Sequence, residues 1–264
     1  MPTSQRRKLI EQRVVSDGEI DFASLASEFQ VSEMTIRRDV TALEDRGVVR
    51  AVKGGAIALV GKASEPTFET RAAQSATEKA HMAGAVLELL QPHETVILDS
   101  GSTVLAVARA LRGRELGLTI VTPSMLAAAE LADDPGTTVL LAGGQVRPGE
   151  LSLIGTETEA TFGLYNCDAY VMGIAGVDAR RGITEYHREE ANVKKAAMAA
   201  ADRVIVVADL SKLGRVQLMN VAAFDEIDAL VTDGPADHPA LRAAADAGVQ
   251  VVHVEPARRE GMAG

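Results

Sequence analysis

Tryptophan is missing from these 264 residues, aromatic side chains supply only 3% of them, and Cys167 is the single cysteine. With so few rings the core must be built from Val, Leu, Ile and Ala, which a 47% apolar composition provides in ordinary globular measure. One thiol excludes an internal disulfide framework and favours a reducing compartment, so a cytoplasmic location is expected. No apolar run approaches the roughly 18 residues of a transmembrane helix, and the start MPTSQRRKLIEQR has no signal-like apolar stretch. A soluble intracellular protein with no membrane partner is therefore expected. The five histidines, at 81, 93, 187, 238 and 253, show no paired ligand spacing, so neither a metal site nor a cofactor is expected. No G-x-S-x-G or G-x-G-x-x-G occupies a suitable strand-to-helix position, and no internal repeat or low-complexity segment occurs.

What is present is unevenly charged. The net charge is -10. Residues 1–57 hold 9 Lys/Arg against 9 Asp/Glu, whereas the remaining 207 hold 18 against 28. The acidity thus lies outside the first 57 residues, and local placement says more about partners than the total does.

Those 57 residues read as three helices and a hairpin. RRKLIEQRVVSDG carries Leu9, Ile10, Arg13 and Val14 at helical spacing and stops at Asp17-Gly18. Asp21 caps FASLASEF, whose Phe22, Leu25, Ala26 and Phe29 form an apolar face. Ser32 caps a third helix with Ile36, Val40 and Leu43 inward, ending at Arg46-Gly47. VVRAVKGGAI then alternates and turns at Gly54-Gly55. This is the layout of a winged helix-turn-helix, whose third helix enters the major groove of double-stranded DNA. Ser32, Glu33, Thr35, Arg37 and Arg38 are left on its outer face, with Lys53 and Gly54 on the wing tip for a backbone contact. The competing reading is a solvated helix in which Arg37 and Arg38 pair with Glu33 and Asp39.

Residues 58–76 lose periodicity and read as a linker, residues 77–256 as a larger domain, and 257–264 as a tail. In the larger domain short apolar strands (ETVILD, LTIVT, TTVLLAGG, DAYVMGI, RVIVVAD, ALVTD, VQVVHV) alternate with helices, including 188–202 and 237–247. That alternation implies an α/β doubly wound, mostly parallel sheet, with ligands at the carboxyl ends of its strands.

Four strand ends carry candidate chemistry. Asp99-Ser100-Gly101-Ser102-Thr103 precedes a helix and can crowd N–H and hydroxyl donors around an anion, although a plain capped turn explains it equally. It is not a Walker loop. LAGGQVR offers Gly143, Gly144 and Arg147. The run from Gly173 and Gly176 through Thr184 reaches Glu190 and Lys194, which at four residues apart also read as a helical surface pair worth ~0.2–0.5 kcal/mol. Asp209 and Lys212 leave the strand RVIVVAD together, as a site or as a structural pair. A parallel sheet brings such ends to one crevice.

The stretch LASEFQVSEMTIRRDVTALEDRGVVRAVKGGA, with its S-x-x-T-I-R-R-D core and closing G-G-A, resembles the N-terminal motif of the DeoR family of bacterial regulators. DSGST, T122-P-S, GGQVR, DAYVMGIAGVD, GIT…EEANVKKAAM and ADLSKLG are similar to successive motifs of that family's sensor domain, which is itself similar to ribose-5-phosphate isomerase and CoA-transferase folds. The resemblance spans residues 4–254, with Pro123 in place of the usual Asn and Glu185-Tyr186-His187 in a variable loop. It implies a homo-oligomeric repressor of carbohydrate genes, a dimer or tetramer, whose effector is a phosphorylated sugar. The phosphate would sit at Ser100–Thr103 and the sugar would face Asp99, the 173–184 loop, Glu190, Lys194 and Lys212. The alternative is an aldose–ketose isomerase using Glu190 or Asp99 as base and Lys194 as electrophile.

Overall fold

The computed structural model describes residues 2–45, 49–58 and 65–255. It divides into two compact units, Met1–Pro66 and Thr67–Gly264. The expected third-helix stop at Arg46-Gly47 and the tail 257–264 lie outside the described residues.

In the N-terminal unit α1 (Thr3–Asp17) stops at Gly18, whose φ of 79° is a left-handed conformation that glycine adopts without strain. A three-residue strand β1 (Glu19–Asp21) follows, which sequence periodicity cannot reveal because only Ile20 is apolar. Helix α2 (Phe22–Glu28) is capped by Asp21, whose carboxylate accepts from Ser24 N. Helix α3 (Glu33–Glu44) is capped by Ser32, whose hydroxyl accepts from Thr35 N. Strands β2 (Val49–Val52) and β3 (Gly55–Ala58) form the hairpin, and β1 pairs antiparallel with the other edge of β3. The turn falls at Lys53-Gly54, one residue earlier than expected. Gly55 instead opens β3, where a Cβ would lie 2.0 Å from the Ile20 carbonyl oxygen, so only glycine permits this approach of β1. Ile10, Val14, Phe22, Leu25, Ile36, Val40, Leu43 and Val49 make one core.

The C-terminal unit begins earlier than the 58–76 linker reading allows. Helix α4 (Phe68–Ala73), capped by Thr67, and the first residue of α5 (Ala76–Leu87) lie inside that stretch. Six residues are too few to show a helical period. Then come β4 (Thr95–Leu98), α6 (Ser102–Leu111), β5 (Leu118–Thr122), α7 (Met125–Leu131) and β6 (Thr137–Leu141). The hairpin β7 (Gln145–Arg147) and β8 (Ser152–Ile154) precedes α8 (Thr156–Phe162) and β9 (Ala169–Gly173). Strands β10 (Gly176–Asp178) and β11 (Gly182–Glu185) lead to α9 (Arg188–Ala199), β12 (Val204–Val207) and a 3-10 turn at Leu210–Lys212. Last are β13 (Met219–Ala222), β14 (Ala229–Thr232), α10 (Pro239–Asp246) and β15 (Gln250–His253).

All seven strands expected of the sheet are present, and their pairings are parallel in the order β15-β14-β12-β9-β4-β5-β6. Each face is covered. Val96 and Leu98 of β4 pack with Met82, Val86, Val104 and Val107 of α5 and α6, while Ile97 between them packs on the face of α9 and α10. That two-sided burial is why the strands read as continuous apolar runs. The chain runs from β4 out to β6, then returns to β9 on the other side of β4. Between β4 and β9 lies the reversal in strand order where doubly wound sheets open a crevice.

Candidate functional site

In the N-terminal unit the apolar stripe Ile36, Val40, Leu43 faces the core, which leaves Ser32, Glu33, Met34, Arg37 and Arg38 exposed. Thr35 is half-buried and shares its hydroxyl with Ser32 Oγ at 3.0 Å. The reading that gave Asp39 to the adjacent arginines is corrected. Asp39 is 1% exposed and accepts from Arg6 Nε at 2.6 Å and Arg7 Nε at 2.8 Å, tying α3 to α1. Arg37 stacks over the Phe22 ring, its Cζ 4.6 Å from the centroid, with Glu33 Oε2 at 3.7 Å. This pre-orients the guanidinium without consuming its hydrogen-bonding fork. Arg38 has no ion pair among the described residues. Lys53 and Gly54 are exposed at the hairpin tip, and Glu44 Oε1 accepts from Ala51 N at 2.9 Å, which fixes the hairpin to α3.

In the C-terminal unit, Asp99 directly follows β4 at the strand-order reversal. Its Oδ1 accepts from Ser100 N at 2.8 Å; its Oδ2 accepts from Gly173 N at 3.1 Å and from Lys194 Nζ at 2.5 Å. Lys194 also donates to the Gly173 carbonyl at 2.8 Å and lies 3.5 Å from Glu185 Oε2. Burial alone would lower its pKa, but Asp99, Glu185 and Glu190 outweigh it and hold the ammonium above its ordinary value. Beside it, burial and the same three carboxylates push the Tyr170 phenol up. Glu190 accepts from Arg147 Nη1 at 2.7 Å. So the helical-pair reading of Glu190 and Lys194 gives way to two longer-range pairs, Arg147–Glu190 and Lys194–Asp99. Asp99, Glu190 and Lys194 line, with Ser100, Pro123, Ser152, Leu153, Ile154 and Val193, a narrow cleft of about 10 Å³ under the β7–β8 hairpin.

A second, cationic end adjoins it. Helix α6 starts at Gly101 without a side-chain cap, so its first N–H groups point outward from a positive helix end. Lys79, on α5 and 4% exposed, donates to Ser102 Oγ at 3.2 Å and Gln74 O at 2.8 Å, and to the Arg71 carbonyl. Burial pushes its ammonium down to about 8; Asp209 opposes the shift while Lys212 and Arg71 add to it. The Ser102 contact and the approach of Arg71 Nη1 to Gly101 bring Lys79 and Arg71 to the α6 N-terminus, while Asp209 caps the turn that carries Lys212.

The structure thus brings Asp99, Ser100, Gly101, Ser102, Arg147, Gly173, Glu190 and Lys194 together around the crevice, while Thr103 lies in the first turn of α6 and Asp209 and Lys212 in the turn after β12. The other expected residues make packing contacts in this structure. The Gly143 carbonyl accepts from Thr158 Oγ1 at 2.7 Å, and a Cβ on Gly144 would meet that oxygen at 2.0 Å. Gly176 and Thr184 hold each other across β10 and β11, with the Thr184 hydroxyl 3.3 Å from the Gly176 carbonyl. Sequence reasoning missed Arg71, Lys79, Glu150, Tyr170 and Glu185; only a charged residue on an otherwise buried face, as at Lys79, could have signalled them.

The family model of the DeoR C terminal sensor domain matches residues 74–234, and that of the DeoR-like helix-turn-helix domain matches residues 6–60. The HTH-type transcriptional regulator GlpR of Haloferax volcanii is 34% identical over 254 residues, 96% of this chain and 98% of that one. The Glycerol-3-phosphate regulon repressor of Escherichia coli K12 is 30% identical over 251 residues, 95% of this chain and 99% of that one. A ribose 5-phosphate isomerase from Methanocaldococcus jannaschii aligns over 53% of this chain and 55% of that one at 16% identity with a TM-score of 0.40, a likeness too slight to carry an argument.

Proposed function

The chain belongs to the DeoR family of transcriptional regulators, and on that premise we propose that it represses carbohydrate-metabolism genes in the cytoplasm until a sugar phosphate releases it from its operator. Its relatives are named as regulators and repressors, and it is a regulator rather than an isomerase. A helix-turn-helix regulator binds DNA, and no helix among the described residues is long and apolar enough to cross a membrane. The exposed Arg37, Arg38 and Lys53 fit an α3 seated in the major groove with the hairpin against the backbone. Two-fold operators call for at least two such units, hence a dimer or a tetramer.

One observation carries the effector class: an uncapped helix end flanked by Arg71 and Lys79 adjoins a cleft of carboxylates already held by cations. The first suits a phosphate, by charge and by donor geometry. The second suits hydroxyl groups, which donate to Asp99 and Glu190 without adding charge. The relative named for a glycerol-3-phosphate regulon supports a phosphorylated polyol or sugar. Isothermal titration with matched pairs, each sugar phosphate beside its unphosphorylated parent, tests the assignment. One phosphorylated member should bind and its parent should not; equal binding of both would remove the phosphate from the account.

A further inference from the structure

Arg71 sits where three elements meet. On α4, it pairs through Nη2 with Glu150 in the β7–β8 turn, and both side chains are largely buried. Its Nη1 lies 3.8 Å from where a Cβ on Gly101 would stand, beside the α6 N-terminus. Its main-chain carbonyl accepts from Lys79, which reaches Ser102 with the same ammonium. One guanidinium thus adjoins the expected phosphate position while paired to a carboxylate from another element.

We propose that Arg71 is a ligand of the effector's phosphate and that Glu150 holds it while the site is empty, an inference that rests on the sugar-phosphate reading above. A phosphate carries nearly two charges and matches the planar fork of arginine bidentately, so at the α6 N-terminus it outcompetes a single carboxylate. Glu150 cannot stay buried as a carboxylate once its partner turns away, because an unpaired buried charge is strongly unfavourable. Glu150 then either takes up a proton or turns toward water with its hairpin turn. The exchange thus has two arrangements, Arg71 on Glu150 or Arg71 on phosphate, and the ligand favours one. Helix α4 is the first helix after the boundary between Pro66 and Thr67, so a change at Arg71 reaches the connecting chain without crossing the sheet.

The absence of tryptophan permits a direct test. Phe68, whose ring centroid lies 5.8 Å from Arg71 Cζ, is replaced to give Phe68→Trp, the sole indole on α4. Full-length protein is titrated with inorganic phosphate, following emission and, in parallel, heat of binding. Emission should shift with the same midpoint as the heat. Adding Arg71→Gln should weaken binding by roughly fivefold or more and silence the emission change. Glu150→Gln, in the chain with Phe68 intact, should tighten phosphate by a similar factor. Arg71→Lys keeps the charge without the fork, so its emission response must be smaller than the parent's even if the Gln variants do not fold. Phosphate binding with silent emission, an undiminished Arg71→Lys response, or no tightening in Glu150→Gln overturns the exchange and leaves the phosphate site standing. Absence of phosphate binding in the parent removes both.

Discussion

Lys79 is nearly buried yet makes three hydrogen bonds through its ammonium, and burial brings its pKa down to about 8. An arriving phosphate favours the charged form, so it raises that pKa and binding takes up a proton above about 8. Between about pH 7, where the phosphate is already dianionic, and pH 8 the affinity for a phosphorylated effector should hold, and it should fall as pH rises above about 8. Titrations at pH 7 and pH 9 check this; equal affinities would take Lys79 out of the site. At the other end of the chain, Arg37→Ala should cost operator binding ~1–3 kcal/mol and relax preference at one base pair, because stacking on Phe22 aims its fork. Lys53→Ala should instead lower the salt slope by about 1 with preference unchanged. Anisotropy on single-base-pair operator variants at several salt concentrations separates the two, and parental behaviour in both would contradict the docking. The two arginines were legible in the sequence as outward residues. Asp39 was not, although it shares the inward stripe with Ile36 and Leu43; the competing surface reading set it with Glu33 against Arg37 and Arg38, and helix geometry turned it to Arg6 and Arg7.

Among elements, α3 depends on that buried cluster. Asp39→Ala leaves Arg6 buried without its carboxylate and should destabilise the N-terminal unit by roughly 3 kcal/mol, read as an earlier urea transition in the far-ultraviolet circular dichroism of the full chain. An unchanged curve would remove the Arg6–Asp39–Arg7 contact from what holds α1 to α3. The seven parallel strands were legible because two-sided burial writes each as an apolar run bounded by helices. Strands β1, β7, β8, β10, β11 and β13 were not, since three or four residues of mixed polarity carry no period. That omission mattered for the site. Arg147 and Glu150 hang from the β7–β8 hairpin, and long-range pairing to α9 and α4 gives them meaning that no local spacing shows. The glycine pair Gly143-Gly144 packs closely against Thr158, a role that a strand-end glycine motif serves as readily as ligand binding.

For the molecule as a whole, regulation requires that an effector bind two conformations unequally, and a coupling of ~1–3 kcal/mol would change operator affinity by ~5–150-fold. The proposed linkage would join outward cations on α3 and the hairpin to the α6 N-terminus and the polar cleft at the reversal of strand order. The measurement that tests the account most directly is fluorescence anisotropy of the full-length protein on DNA from upstream of its own gene, at fixed salt, with and without a panel of sugar phosphates. The account predicts tight binding that one phosphorylated compound weakens at least ~5-fold while its unphosphorylated parent does not. Tight binding indifferent to every phosphorylated compound, or no preference over random DNA, would contradict it.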